Sequence, residues 1–180
     1  MAKRNIIASA AAILASTAAA VLMSATGASA APVQIEEEAD YRIIFEKNDA
    51  MMVPWGGSTQ RTDVRVWPND YAGMDWDVTY AGRSNGMATY EIRNLRSDLC
   101  LQPKDGATQA GKRVEQATCN GRLVQQWNLP HVGDGTRHIV PAKNWNIGVT
   151  LENPASTGSF LKLDYRNRAD PDFQWNFATR

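Results

Sequence analysis

Side chains able to carry covalent or proton-transfer chemistry are sparse in this chain. His131 and His138 are its only histidines, seven residues apart. A histidine near the start of a strand commonly serves structure rather than catalysis. Serines are plentiful, but none lies in a Gly-x-Ser-x-Gly or comparable nucleophile pattern. Gly56-Gly57 and Gly133-Asp134-Gly135 are turn glycines, without a phosphate-loop pattern around them. Asp170 and Asp172 could imitate the acid pair of a glycosidase, although loop acids at this spacing are commonplace. These residues argue against an enzyme and call for no cofactor and no metal. What remains is recognition chemistry. Aromatic rings offer flat apolar faces, and carboxylates match pairs of neighbouring hydroxyls.

Cys100 and Cys119 are the only cysteines. Without supporting histidines they make a poor metal site. In an exported chain they would most simply form one disulfide, the alternative being two buried thiols. A loop of about 20 residues closed this way contributes about 3 kcal/mol by the chain-entropy model.

Export is expected from the N-terminus. Lys3 and Arg4 precede an apolar stretch from Ile6 to Met23, and Ala28-Ser29-Ala30 offers a small-x-small cleavage site. Residues 1–30 are therefore expected to be a signal peptide cleaved near Ala30, giving an extracellular protein. Loss of Lys3 and Arg4 removes two of 19 basic residues and none of the 19 acidic ones, leaving a net charge of −2. That balance excludes an electrostatic nucleic-acid binder. No other apolar run approaches bilayer-spanning length, so no membrane insertion is expected.

The elements that must position the recognition residues follow from the rest of the chain. Residues 31–40, with Glu36-Glu37-Glu38, have the composition of an acidic tether. From Tyr41 onward short alternating runs such as Ile43-Ile44-Phe45, Val64-Arg65-Val66-Trp67, Tyr90-Glu91-Ile92 and Phe160-Leu161-Lys162-Leu163 predict strands. Pro68-Asn69-Asp70, Asp105-Gly106, Asn120-Gly121 and Asn153-Pro154 supply turns between them. No helical periodicity follows residue 30, and the pattern is all-β. Tryptophan recurs at Trp76, Trp127 and Trp175, each followed by a polar and then an apolar residue. The spacing divides the domain at 41–180 into copies of about 41–83, 84–133 and 134–180. One such unit cannot bury a core alone. Three around a pseudo-threefold axis can, with Trp76, Trp127 and Trp175 at the shared centre and Gln126 and Gln174 beside them satisfying buried backbone groups. Met51-Met52 is expected in the core. Trp55 and Trp145 lie outside the repeated set, either as exposed anchors for a partner or as covers for the ends of the core.

The order Leu99-Cys100-Leu101, Ala117-Thr118-Cys119-Asn120-Gly121, Gln125-Gln126-Trp127 resembles one repeat of the ricin B-type lectin family. The resemblance is clearest over residues 90–129 and implies a β-trefoil of three four-stranded repeats. In that family the Gln-x-Trp motif identifies the scaffold. The sugar is held by an Asp two residues after the first cysteine, an aromatic two before the second, and an Asn just before Gln-x-Trp. Carried over by position, the middle copy offers Gln102, Ala117 and Val124, and all three contacts are lost or weakened. The first copy offers Val53 and Gly73 but keeps an aromatic at Trp67. The third slips by about two residues, placing Thr150 or Glu152 at the Asp position. There Glu152 or Asp164 is the expected acceptor and Tyr165 the stacking face. Asp172 takes the Asn position, with Asn167 nearby. A lost charge-assisted hydrogen bond costs about 1.5–3 kcal/mol, so the third copy is the expected site.

The expected function is a secreted, non-catalytic carbohydrate-binding module with largely eroded sugar sites, its partner a glycan or glycoprotein. A protein-binding role is the alternative. The chain also resembles, more weakly, the cell-binding subunits of cytolethal distending toxins. A further alternative is a protease inhibitor, since Kunitz-type inhibitors share the trefoil. This chain lacks their two-disulfide arrangement.

Overall fold

The computed structural model describes Ile35, residues 39–133 and residues 135–180. The expected signal peptide and most of the acidic tether lie outside the described residues. Among the described residues fourteen strands follow one another. They are β1 (Asp40–Phe45), β2 (Ala50–Pro54), β3 (Thr62–Trp67), β4 (Asp75–Ser84), β5 (Met87–Asn94), β6 (Leu99–Pro103) and β7 (Val114–Thr118), then β8 (Gln126–Asn128), β9 (His131–Gly133), β10 (Thr136–Arg137), β11 (Val140–Pro141), β12 (Ile147–Leu151), β13 (Leu161–Tyr165) and β14 (Trp175–Thr179). The only helical segments among the described residues are three-residue 3-10 turns.

Every pairing is antiparallel, and the pairings form a closed ring. β1 pairs with β4, β4 with β5, β5 with β8 and β8 with β11, while β10 pairs with β14 and β14 returns to β1. The short stretch His138-Ile139 joins β10 to β11 and completes the circuit. Closure removes the open edges that a sheet of this size would expose. Three hairpins, β2–β3, β6–β7 and β12–β13, stand on this barrel. A six-membered barrel with three hairpins is a β-trefoil.

The core explains the spacing of the tryptophans. Trp76, Trp127 and Trp175 are fully buried. Each indole Nε1 donates to a carbonyl on the first strand of its own unit's hairpin, at 3.0 Å in all three cases: to Met52 O, Leu101 O and Val149 O. A bare N–H at the centre of the barrel would be costly, and the hairpin carbonyl satisfies it. Met52 is fully buried, as its place beside the first indole requires.

The glutamines behave differently from expectation. Gln126 and Gln174 are only half-buried. The residue immediately before each tryptophan faces outward, and the residue two before it, which ends a 3-10 turn in the second and third units, faces inward. Those inward positions hold Met74, Gln125 and Phe173, at 5%, 0% and 5% exposure. Only Gln125 is polar. Its Nε2 donates to Thr118 O and Gln102 Oε1, and its Oε1 accepts from Asn120 N. Gln126 instead accepts from Thr89 Oγ1 at the barrel's periphery. The middle unit also carries the disulfide Cys100–Cys119, with a Cα separation of 5.0 Å.

Candidate functional site

The three indole acceptors give a common origin for comparing the units. The residue after each acceptor is Val53, Gln102 and Thr150. Opposite them in register stand Arg65, Glu115 and Lys162. The third unit therefore places Thr150 at the Asp position, and Glu152 lies two residues further on. By the same register the stacking position, Trp67 in the first unit and Ala117 in the middle one, is occupied in the third by Asp164. Tyr165 is its neighbour at the strand end.

In the middle unit Gln102, Ala117 and Val124 line one surface cavity, together with Asp105, Asn120 and Lys143. The expected positions do come together there, and the Gln102 amide is engaged on both sides. Gln102 Nε2 donates to Glu115 Oε1 at 2.8 Å, and its Oε1 accepts from Gln125 at 3.0 Å. Glu115 is almost wholly buried, and Arg61 Nε and Nη2 donate to it at 3.0 and 2.8 Å. Ala117 gives no ring face and Val124 no hydrogen bond. In the first unit Val53 is fully buried and Trp67 packs against Arg65.

The third unit differs. Thr150, Glu152, Lys162, Asp164, Tyr165, Asp170 and Asp172 surround a cavity of about 400 Å³, within the ~300–1,000 Å³ common for small-ligand sites. β12 supplies Thr150, β13 supplies Lys162 to Tyr165, and the 3-10 turn Pro171–Phe173 supplies Asp172. Asp170 caps that turn by accepting from Asp172 N at 3.0 Å. Thr150 Oγ1 donates to Asp172 O and ties the turn to the strand.

Charge is fixed in this cavity. Lys162 Nζ donates to Asp164 Oδ2 at 2.6 Å, and Tyr165 N to Oδ1 at 2.8 Å. The Lys162 ammonium, helped by the Tyr165 amide and opposed by burial, holds the Asp164 carboxyl below its ordinary range. It stays ionised, and a carboxylate with about four lone-pair sites retains room for hydroxyl donors. Lys47 Nζ donates to Asp172 Oδ1 at 2.8 Å, while the described residues leave Oδ2 unpaired. Tyr165 is 76% exposed, a ring face turned to solvent.

Two expected residues take other roles. Glu152 lines the cavity, but Arg113 Nε and Nη2 grip both its oxygens at 2.7 and 3.0 Å. Asn167 is exposed outside the cavity lining, and its Oδ1 accepts from Ala169 N. Thr150 and Lys162 are the cavity residues that spacing alone least distinguishes. The strand alternation of β13 was the available signal for Lys162. Trp67 sits in the first unit and is not among the residues lining this cavity.

The histidines lie outside the lining of this cavity. His138 is fully buried, its Nδ1 lying 3.4 Å from Arg166 Nη1 and its ring 6.1 Å from that of Phe173. Burial first, then the Arg166 and Arg168 guanidinium groups, push its pKa down to about 4. His131 lies on β9, remote in sequence from the cavity residues.

Comparison with known proteins agrees with this fold. The family described as ricin-type β-trefoil lectin domain-like matches residues 72–170, more than half of the chain. No curated protein matches by sequence. Among solved structures, the designed threefold-symmetric protein ThreeFoil is 21% identical, with 77% of this chain and 97% of that one covered at a TM-score of 0.66. The Macrolepiota procera ricin B-like lectin, solved in complex with lactose, is 14% identical over 82% of this chain and 100% of its own, at 0.68. The Haemophilus ducreyi cytolethal distending toxin chain is 17% identical over 81% and 88%, at 0.62. At these identities the likeness is one of fold.

Proposed function

We propose that this chain, which belongs to the ricin-type β-trefoil lectin domain-like family, is a secreted, non-catalytic carbohydrate-binding module whose working site is the third-unit cavity. In this proposal a leader at 1–30 and an acidic tether at 31–40 precede the trefoil at 41–180. One observation carries the reading. The third unit brings an ionised acceptor, a carboxylate oxygen left unpaired and an exposed ring together around one cavity.

The chemistry follows from those groups. Asp164 and Asp172 accept hydrogen bonds from neighbouring sugar hydroxyls, and the Lys162 ammonium donates to a ring or hydroxyl oxygen. Tyr165 covers a C–H face. The middle cavity, with its amide and carboxylate groups tied to one another, is a silent copy.

A glycan array on the purified protein tests this. Lactose, bound by the Macrolepiota procera lectin, is the first probe. Binding is expected for the wild type and abolished in Tyr165→Ala and Asp172→Ala. No binding at millimolar sugar, or binding indifferent to both variants, would sink the reading.

A further inference from the structure

Arg65 is enclosed by two indole rings. Its guanidinium carbon lies 4.1 Å from the ring centroid of Trp55 and 4.1 Å from that of Trp67. The arrangement grows out of β3. Val64 and Val66 point into the core, so Arg65 and Trp67 share the outer face. Trp55 comes from the turn after β2. Gly57 in that turn has φ +61°, and a Cβ there would stand 2.9 Å from Ala72 O. Two tilted rings adjoin it, the Phe160 centroid 5.3 Å from that of Trp55 and the Tyr71 centroid 6.3 Å from that of Trp67.

Among the described residues the cation in the middle has no counter-charge. Arg61, Arg93 and Arg113 each pair with two carboxylates. Arg65 is 8% exposed, forms no ion pair with any described residue, and its Nε has no hydrogen-bond partner. Burial lowers its pKa from the usual arginine value, and a guanidinium nevertheless remains protonated in proteins. The two rings engage its faces, which leaves the in-plane N–H donors unspent. The rim is open, with Trp55 49% and Tyr71 38% exposed.

A ligand matched to this stack must bring an anion for the guanidinium edge and a C–H-rich face for the rim rings. We propose that the Trp55–Arg65–Trp67 stack binds an acidic saccharide, a sugar ring carrying a carboxylate or sulfate. The proposal rests on the reading of the chain as a carbohydrate-binding module, at a site separate from the third-unit cavity. The anion takes the in-plane donors of Arg65 while the ring packs on the exposed face of Trp55.

Isothermal titration of the purified protein with four probes tests it. Oligogalacturonate carries carboxylates, a dextran sulfate oligosaccharide carries sulfates, neutral dextran carries neither, and polyglutamate carries carboxylates without sugar. One or both acidic saccharides should bind, less tightly as salt rises, and neutral dextran should not. Arg65→Gln should weaken binding about tenfold to a hundredfold. Trp55→Ala, at an exposed position and so compatible with folding, should weaken it too. Lactose binding should be unchanged in both variants. Failure of both acidic saccharides to bind, binding indifferent to Trp55→Ala and Arg65→Gln, or polyglutamate binding as tightly would each overturn the proposal. Loss of lactose binding alone would instead count against the third-unit site.

Discussion

Lowering the pH should weaken the fold through His138. The folded imidazole is buried beside Arg166 with a pKa of about 4, and the unfolded value is 6.5. Above about pH 6.5 both states are neutral and His138 contributes no pH dependence. Between the two values the unfolded chain binds a proton that the folded chain refuses, so stability falls as the pH falls. The slope is about 1.4 kcal/mol per pH unit and the full loss about 3 kcal/mol, ending near pH 4 where both states are protonated. Carboxylates titrate over part of the same range. The assay is therefore urea denaturation of the wild type and of His138→Gln between about pH 7 and pH 4. Gln cannot titrate and can still accept from Arg166. The wild type should lose about 3 kcal/mol more than the variant over this range. Parallel pH profiles would refute the reasoning, because they would mean that His138 protonates equally well in both states.

Other consequences concern the scaffold. Cys100→Ser with Cys119→Ser opens a loop of 19 residues' separation and should cost about 3 kcal/mol, lowering Tm by about 6–12 °C in calorimetry. An unchanged Tm would show that the middle unit does not depend on the crosslink. Trp127→Phe orphans Leu101 O in the core and should cost at least about 1–3 kcal/mol in chemical denaturation. A neutral result would remove the indole bond from the account of the repeat.

Much of the fold is legible in the sequence, because period-2 runs, turn residues and three spaced tryptophans all constrain the same barrel. The fine phase is harder to see. Gln126 and Gln174 are adjacent to tryptophans in sequence, yet they face outward while the residue before each faces inward. The buried polar role thus falls to Gln125 alone. The third unit has no cysteine to mark its register, and only the Trp175–Val149 bond fixes Thr150 rather than Glu152 at the Asp position. Glu152 looks like a free acceptor until Arg113, 39 residues earlier, is found holding it. The Arg65 stack is half legible. Val-Arg-Val-Trp predicts that Arg65 and Trp67 share a face, but Trp55 joins them only through the β2–β3 hairpin. Pairings of this kind depend on tertiary register, which local patterning does not encode.

The most direct measurement of carbohydrate recognition by the third unit is a lactose titration followed residue by residue in ¹H–¹⁵N NMR spectra. Shifts are predicted to cluster at Thr150, Lys162, Asp164, Tyr165 and Asp172, with Gln102, Ala117 and Val124 unmoved. Shifts centred on the middle unit, or none at millimolar sugar in a folded protein, would contradict it.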